Sequence, residues 1–445
     1  MRDLFVSGSD AKALQDRSVT IPGDKSISHR VLLLAALLPG PTRITGLNEG
    51  GAVQVLRPVL QVLGVRLEEK DGALTVTPPP GGIRPGGVHL LNLGSSSTAA
   101  RLLLGLLSGL GVPAVIDGNA SLRARPMDWV VEPLRQLGVN LKYLGVPGRV
   151  PVFIRNGRLR PGKVRLEVVS AQASSAILFG AYAAGREVEI SLVAASRDHT
   201  TRLLRHLGVE VQETQESIKI LGANYPPLPE YQVPGDPSAA AYLAAAYACQ
   251  GGPAKLTLEQ VCLNPTRLGF FELLGECGAA ISYADVAEKY GEPVGNLSVG
   301  SFPHKARPFH IDQVVRTHAM IDEIPLAAAL AALIPGTSSI SKAGELTFKE
   351  TNRLQSTRDM LRAFGAQVEA GHDSLQVRGG LPLAAGVAPS FGDHRLTMAA
   401  AVLACSLPGR TQILGGECYK TSFPEFPEKM RYLGLAVHLE GGAAG

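Results

Sequence analysis

Aromatic residues make up only 5% of the 445 positions, with one tryptophan, and no basic run is interleaved with them. Single-stranded nucleic acid needs stacking rings along a basic track, so this composition argues against it as a partner. Charge is also sparse, at 18% of the residues with a net charge of +4. Any strongly positive region must therefore be local. Cysteine is low and odd in number: Cys249, Cys262, Cys277, Cys405 and Cys418. Their spacings match no zinc pattern, and they read as buried free thiols of a reducing compartment. The longest apolar stretch, Leu102–Ile116, is too short and too broken by glycine and proline to span a bilayer. The opening MRDLFVSGSD lacks the apolar core of a signal peptide. The expectation is a soluble cytoplasmic protein with no membrane partner.

Glycine and proline are plentiful, at 50 and 31 residues. Six of the glycines fall in matching contexts: VLGVRL, QLGVNL, HLGVEV, ECGAAI, AFGAQV and YLGLAV. In each, a helix-like stretch ends and an apolar strand-like run begins. Gly64, Gly138, Gly208, Gly278, Gly365 and Gly434 recur at intervals of roughly seventy residues, the mark of one folding unit used six times. Each suits the left-handed position just past a helix end.

Every repeat also carries a helix candidate rich in Leu and Ala. These are placed after Ser28, Ser97, Ser174 and Ser238, and after the acid Glu323. Such starts suit N-terminal capping, and an apolar character nearly all round predicts burial. Amphipathic second helices such as RLLRHLG should lie outside. The class is α/β (α+β), and six units divide into two sets of three. The predicted domains are 22–235 and 1–21 plus 236–445, with hinges near 20–22 and 234–238, where Pro234, Gly235 and Pro237 punctuate the chain. A cleft between the halves follows as the expected ligand site.

The repeats differ at their helix starts, and polar residues collect there. In IPGDKSISHR, Lys25 and Ser26 should precede an apolar helix that carries Arg30 one turn inside. Free backbone N–H groups at helix starts bind anions, and a buried Arg30 needs an anionic partner. LGSSSTAAR (Leu93–Arg101) is a small-residue loop entering another helix, equally open to simple capping. SLRARPMD offers Arg123 and Arg125, in isolation an exposed turn. SAQASSAI (Ser170–Ile177) brings uncharged hydrogen-bonding groups, and Arg197 precedes a further helix. Asp322 and Glu323 open an apolar helix, where they can serve the helix dipole or, for Asp322, act as a general base. In TFKETNRL, Lys349 and Arg353 at i and i+4 should share a helix face and grip an anion beside Glu350; a surface Glu–Arg pair is the plain alternative. His394 and Arg395 start one more apolar helix. Seven cations at helix starts in a nearly neutral chain predict a concentrated basic site for a substrate with several negative charges.

In this order, PGDKSISHR, SLRARPM, SAQ, SRDHT, VPGDPSAAA, NPTRLG, GEPVGNL, IDEIP, KETNRL and GDHR resemble the motifs of 5-enolpyruvylshikimate-3-phosphate synthases, from about Val19 to Pro424. The resemblance implies two domains of three βαβαββ units each, which agrees with the six glycine junctions. It also implies transfer of the enolpyruvyl group of phosphoenolpyruvate to the 5-hydroxyl of shikimate 3-phosphate. The reaction would run by addition and elimination, without metal or cofactor. Nothing in the sequence demands an oligomer, so a monomer is the expectation. Shikimate 3-phosphate would be held by Lys25, Ser26, Arg30, Ser170, Ala171, Gln172, Arg197, Asp322 and Lys349, mainly on the 22–235 side. Phosphoenolpyruvate would be held by Lys25, Ser97, Arg125, Gln172, Lys349, Arg353, His394 and Arg395. Asp322, Glu350 and Lys25 would be catalytic.

The chain departs from the family pattern at several points. Ser97 replaces a glycine or alanine, and its hydroxymethyl group should crowd the phosphoenolpyruvate pocket and weaken binding of the family inhibitor glyphosate. Asn352 replaces an aspartate expected to orient Arg353. Gly50 and Gly51 replace an acidic pair, and Lys420 is one residue out of register. Two other readings stay open here: the sister enzyme acting on UDP-N-acetylglucosamine, whose loop cysteine SLRARPMD lacks, and a non-catalytic phosphosugar-binding paralogue.

Overall fold

The computed structural model describes residues 1–8, 14–156, 158–302 and 306–440. The chain divides into two compact units. The first comprises Gly23–Val233 and Glu288–Glu292; the second comprises Met1–Pro22, Pro234–Ala287 and Pro293–Gly445. Among the described residues no helix is long and apolar enough to cross a membrane.

Six four-stranded sheets are present among the described residues; four place their strands, counted along the chain, in the order first, second, fourth, third, and two depart from it because one strand comes from elsewhere. One copy shows the rule. Gly162–Arg165 pairs in parallel with Val188–Ser191, which pairs antiparallel with Ser217–Ile220, which pairs antiparallel with Val211–Glu213. The helix Ala171–Ala184 joins the two parallel strands, and His199–His206 leads through Gly208 into the hairpin. This is the βαβαββ unit expected from the repeat. The six junction glycines have φ of 85°, 87°, 74°, 111°, 88° and 88° in chain order. A side chain in that left-handed region is strained, which accounts for the residue type at all six turns.

Three copies take a strand from a distant stretch of their own unit, and in one of them Arg17–Thr20 is the parallel partner of Lys255–Cys262. Glu230–Gln232 supplies the parallel partner of Thr42–Thr45. Asp3–Gly8 inserts antiparallel between Gly409–Leu414 and Ala436–Glu440.

The apolar helices are buried as predicted. All of Pro237–Ala248 and His394–Cys405 is buried in the second unit. In the first unit, Ser97–Leu110 packs backbone to backbone on Ala171–Ala184. A Cβ on Gly105 would drive into the carbonyl oxygen of Ala176, and one on Gly109 into that of Gly180.

The helix starts differ from the sequence reading. The caps are Asp24, Ser96, Ser170 and Asp236, each accepting a backbone N–H, rather than Ser28, Ser97, Ser174 and Ser238. Each has extended backbone angles, which a cap needs and which sequence does not display. Lys25 and Ser26 consequently lie in the first helical turn, not before it.

Candidate functional site

In the first unit, three helix starts converge through side-chain contacts. Arg30 is 2% exposed. Its Nε donates to Thr200 Oγ1 (2.7 Å), its Nη2 to Ser175 Oγ (2.7 Å) and its Nη1 to the Ser26 carbonyl (2.9 Å). Hydroxyl and carbonyl oxygens thus help to hold this buried cation. His29 is buried beside it, with Nδ1 2.6 Å from the Lys25 carbonyl oxygen. Its Nε2 lies 2.9 Å from the Ala52 carbonyl oxygen and 3.2 Å from Ser96 Oγ. Burial pulls the His29 pKa down to about 4, against the pull of the two carbonyls.

Ser97 and Arg125 meet directly: Arg125 Nη1 donates to Ser97 Oγ at 3.0 Å, and its Nη2 reaches Ser121 Oγ at 3.3 Å. Arg125 is 5% exposed, so the SLRARPMD segment is not an exposed turn at this residue. Gln172 donates to Thr98 Oγ1 (2.9 Å) and accepts from Arg101. Arg101 also donates to the Pro126 carbonyl (2.8 Å) and lies over the Trp129 ring at 4.9 Å. Ser170 caps the helix that begins at Ala171. Arg197 lines a small recess with Ser174, Ser175 and Thr200. The sequence reading passed over Arg101, which ends the Leu93–Arg101 segment; its place one turn into an otherwise apolar helix was the available signal.

The second unit gathers Asp322, Glu350, Arg353, Asp393 and Arg395. Arg353 is buried among three carboxylates: Asp393 at 2.7 Å, Glu350 at 2.5 Å and Asp322 at 3.2 Å. Burial by itself would lower the Arg353 pKa, but Asp393, Glu350 and Asp322 outweigh it and hold it well above the ordinary value. Asp322 Oδ2 also faces Arg395 Nη2 at 3.9 Å. Asp393 does a second job, accepting the Arg395 backbone N–H (2.9 Å) as the cap of the His394–Cys405 helix. Burial works against the Arg395 charge too, and Tyr242, Asp322 and Glu323 reverse that to raise its pKa. His394 is buried next to Asp393, its Nδ1 3.9 Å from Oδ1.

Lys349 and Arg353 do not share a helix face. The helix begins at Arg353, and Lys349 is extended at the end of the short 3₁₀ turn Gly344–Phe348. Lys349 pairs with Glu345, which His318 also approaches at 3.4 Å. Burial favours a protonated Glu345, but Lys349 and His318 prevail and its pKa lies below the usual glutamate value. Glu350 and Arg353 do form the i, i+3 pair, but with the arginine buried rather than at the surface.

The departures from the family pattern find local explanations. Asn352 caps the Arg353 helix, its Oδ1 accepting from the Gln355 N–H at 3.3 Å. Three carboxylates already orient Arg353 without it. Gly50 caps a short helix beginning at Gly51, and its N–H donates to Asn48 Oδ1 (2.9 Å). Lys420 pairs with Glu417 at 2.8 Å on the exposed face.

The chain is similar to known proteins along nearly all of its length. The sequence model of the EPSP synthase (3-phosphoshikimate 1-carboxyvinyltransferase) family matches residues 10–430. The 3-phosphoshikimate 1-carboxyvinyltransferase of Desulforamulus reducens is 36% identical over 419 residues, 93% of this chain and 96% of that one. The enzyme of the same name from Granulibacter bethesdensis is 38% identical over 432 residues, 94% and 93% of the two chains. The EPSP synthase structure from Acinetobacter baumannii superimposes with a TM-score of 0.85 at 30% identity, covering 99% of this chain and all of that one. An enolpyruvyl transferase from Streptomyces tendae, 17% identical with a TM-score of 0.77, shares the fold.

Proposed function

The chain belongs to the EPSP synthase family, and from that premise we propose how its residues divide the work. The protein transfers the enolpyruvyl group of phosphoenolpyruvate to shikimate 3-phosphate, releasing phosphate. The observation that carries this reading is the family match across residues 10–430.

Shikimate 3-phosphate is assigned to Lys25, Ser26, Arg30, Ser170, Ala171, Gln172 and Arg197 of the first unit, with Asp322 and Lys349 of the second. The support is the convergence of helix starts around Arg30 and Gln172, where backbone N–H groups and hydroxyls suit a phosphate. Phosphoenolpyruvate is assigned to Lys25, Ser97, Arg125 and Gln172, with Lys349, Arg353, His394 and Arg395. Arginines suit its carboxylate and phosphate because their planar forks bind such groups through two parallel hydrogen bonds.

Asp322 takes the proton of the 5-hydroxyl as that oxygen bonds to C2 of phosphoenolpyruvate. Glu350 and Lys25 deliver a proton to the methylene carbon, giving a tetrahedral intermediate. Glu350, with Lys25 nearby, then takes a proton back from the new methyl group as the bond from C2 to the phosphate oxygen breaks, which releases phosphate and forms the enol ether. Positioning of two anions and proton transfer by carboxylates supply the catalysis. A monomer acting in the cytoplasm is part of the proposal, supported by five free cysteines suited to a reducing compartment.

Incubation with phosphoenolpyruvate and either shikimate 3-phosphate or UDP-N-acetylglucosamine, followed by NMR of the products, tests the reading. An enol ether forming only on shikimate 3-phosphate is expected; an enol ether on the nucleotide sugar would overturn it.

A further inference from the structure

Arg353 and Arg395 are both buried arginines next to Asp322, but they are held in opposite ways. Arg353 donates at 2.5–3.2 Å to three carboxylates. The Arg395 guanidinium has Asp322 Oδ2 at 3.9 Å and Glu323 Oε1 at 4.0 Å, ion-pair contacts too long for hydrogen bonds. Its Nε has no hydrogen-bond partner among the described residues, and its Cζ lies over the Tyr242 ring, 5.9 Å from the ring centroid. Arg395 is therefore placed largely by charge, and its Nε stays open to an anion.

Glu323 is the less expected half of that arrangement. It is 2% exposed and sits at the start of the Ile324–Leu333 helix, but its side chain caps nothing. Asp24, Asp236 and Asp393, at equivalent starts, all cap. Burying an acid without using it as a cap is costly unless something else holds it. Here the Ser238 hydroxyl donates to Oε1, while Oε2 has no hydrogen-bond partner among the described residues. Ser238 in turn accepts from Arg267 Nη2 at 3.0 Å, and the same nitrogen donates to Asp236 Oδ1 at 3.0 Å. All four residues are buried and lie in the second unit.

We propose that Glu323 is a positioning residue for Arg395, anchored from behind by Ser238 and Arg267. It draws the guanidinium to one place without saturating it. This rests on the assignment of Arg395 to phosphoenolpyruvate.

Steady-state kinetics of Glu323→Gln, Ser238→Ala and Arg395→Lys, singly and combined, test it. The glutamine keeps the shape and still accepts from Ser238, but removes the charge facing Arg395. KM for phosphoenolpyruvate should rise about tenfold, with kcat and KM for shikimate 3-phosphate within about threefold. Ser238→Ala should move the same constant less. In the Arg395→Lys background, Glu323→Gln should add less than about twofold. A folded Glu323→Gln variant with unchanged KM, or equal effects in both backgrounds, overturns the proposal. Should that variant not fold, Ser238→Ala carries the test, and an unchanged KM there overturns it. Arg395→Lys alone tests the underlying assignment: an unchanged KM withdraws Arg395 from phosphoenolpyruvate binding, and the role of Glu323 with it.

Discussion

Ser97 and Arg125 are joined by a 3.0 Å hydrogen bond from Nη1 to Oγ, with both side chains buried. The hydroxyl that replaces the family's glycine or alanine does not turn away into solvent. It faces one of the arginines assigned to phosphoenolpyruvate and takes up one of its donors.

Ser97→Gly should free that donor and remove the added bulk. A hydrogen bond to a charged group contributes about 1.5–3 kcal/mol, enough for a change of roughly tenfold or more. Lower KM for phosphoenolpyruvate and tighter inhibition by glyphosate are expected. Inhibition constants that do not change would show that Ser97 sets neither.

Gly105→Ala tests the packing of the first unit. The new methyl group meets the Ala176 carbonyl oxygen, and backbone cannot yield as a flexible side chain can. Overpacking of this kind costs about 1–3 kcal/mol. Thermal unfolding should shift several degrees lower; Gly40→Ala would not serve as a neutral control, since its φ of 83° strains any side chain. Gly86→Ala is suitable, because nothing lies within 4 Å of a Cβ there.

His29 predicts a pH dependence. Its pKa falls from 6.5 to about 4 on folding, so the folded state favours the neutral ring. As pH drops, the unfolded chain gains the proton first. The contribution is therefore complete above about pH 6.5 and is lost as pH falls toward about 4, amounting to at most about 3 kcal/mol. Denaturation at about pH 7.5 and about pH 5 should show a smaller loss for His29→Asn than for the wild type. Equal losses would contradict this origin.

The six junction glycines and the buried helices were legible because both are local. One residue must turn left-handed, and an apolar stretch must be covered. The helix caps were less legible. Ser95, Ser96 and Ser97 are chemically alike, and only the extended backbone at Ser96 selects it. Lys349 and Arg353 looked like helix neighbours because the sequence does not announce the 3₁₀ turn that separates them. The borrowed strands Glu230–Gln232, Asp3–Gly8 and Arg17–Thr20 lie far along the chain from their sheets, beyond the reach of periodicity. Asp393 was overlooked beside His394 and Arg395, although it holds Arg353 and caps the helix that carries them.

We propose that Asp322, set between Arg353 and Arg395, takes the proton that starts enolpyruvyl transfer. Phosphate release from phosphoenolpyruvate with shikimate 3-phosphate, measured for the wild type and Asp322→Asn at saturating substrates, tests it most directly. Release from the wild type only when both substrates are present, and a kcat at least about a hundredfold lower in the variant, is the predicted result. Release by Asp322→Asn at a rate close to the wild type would contradict it.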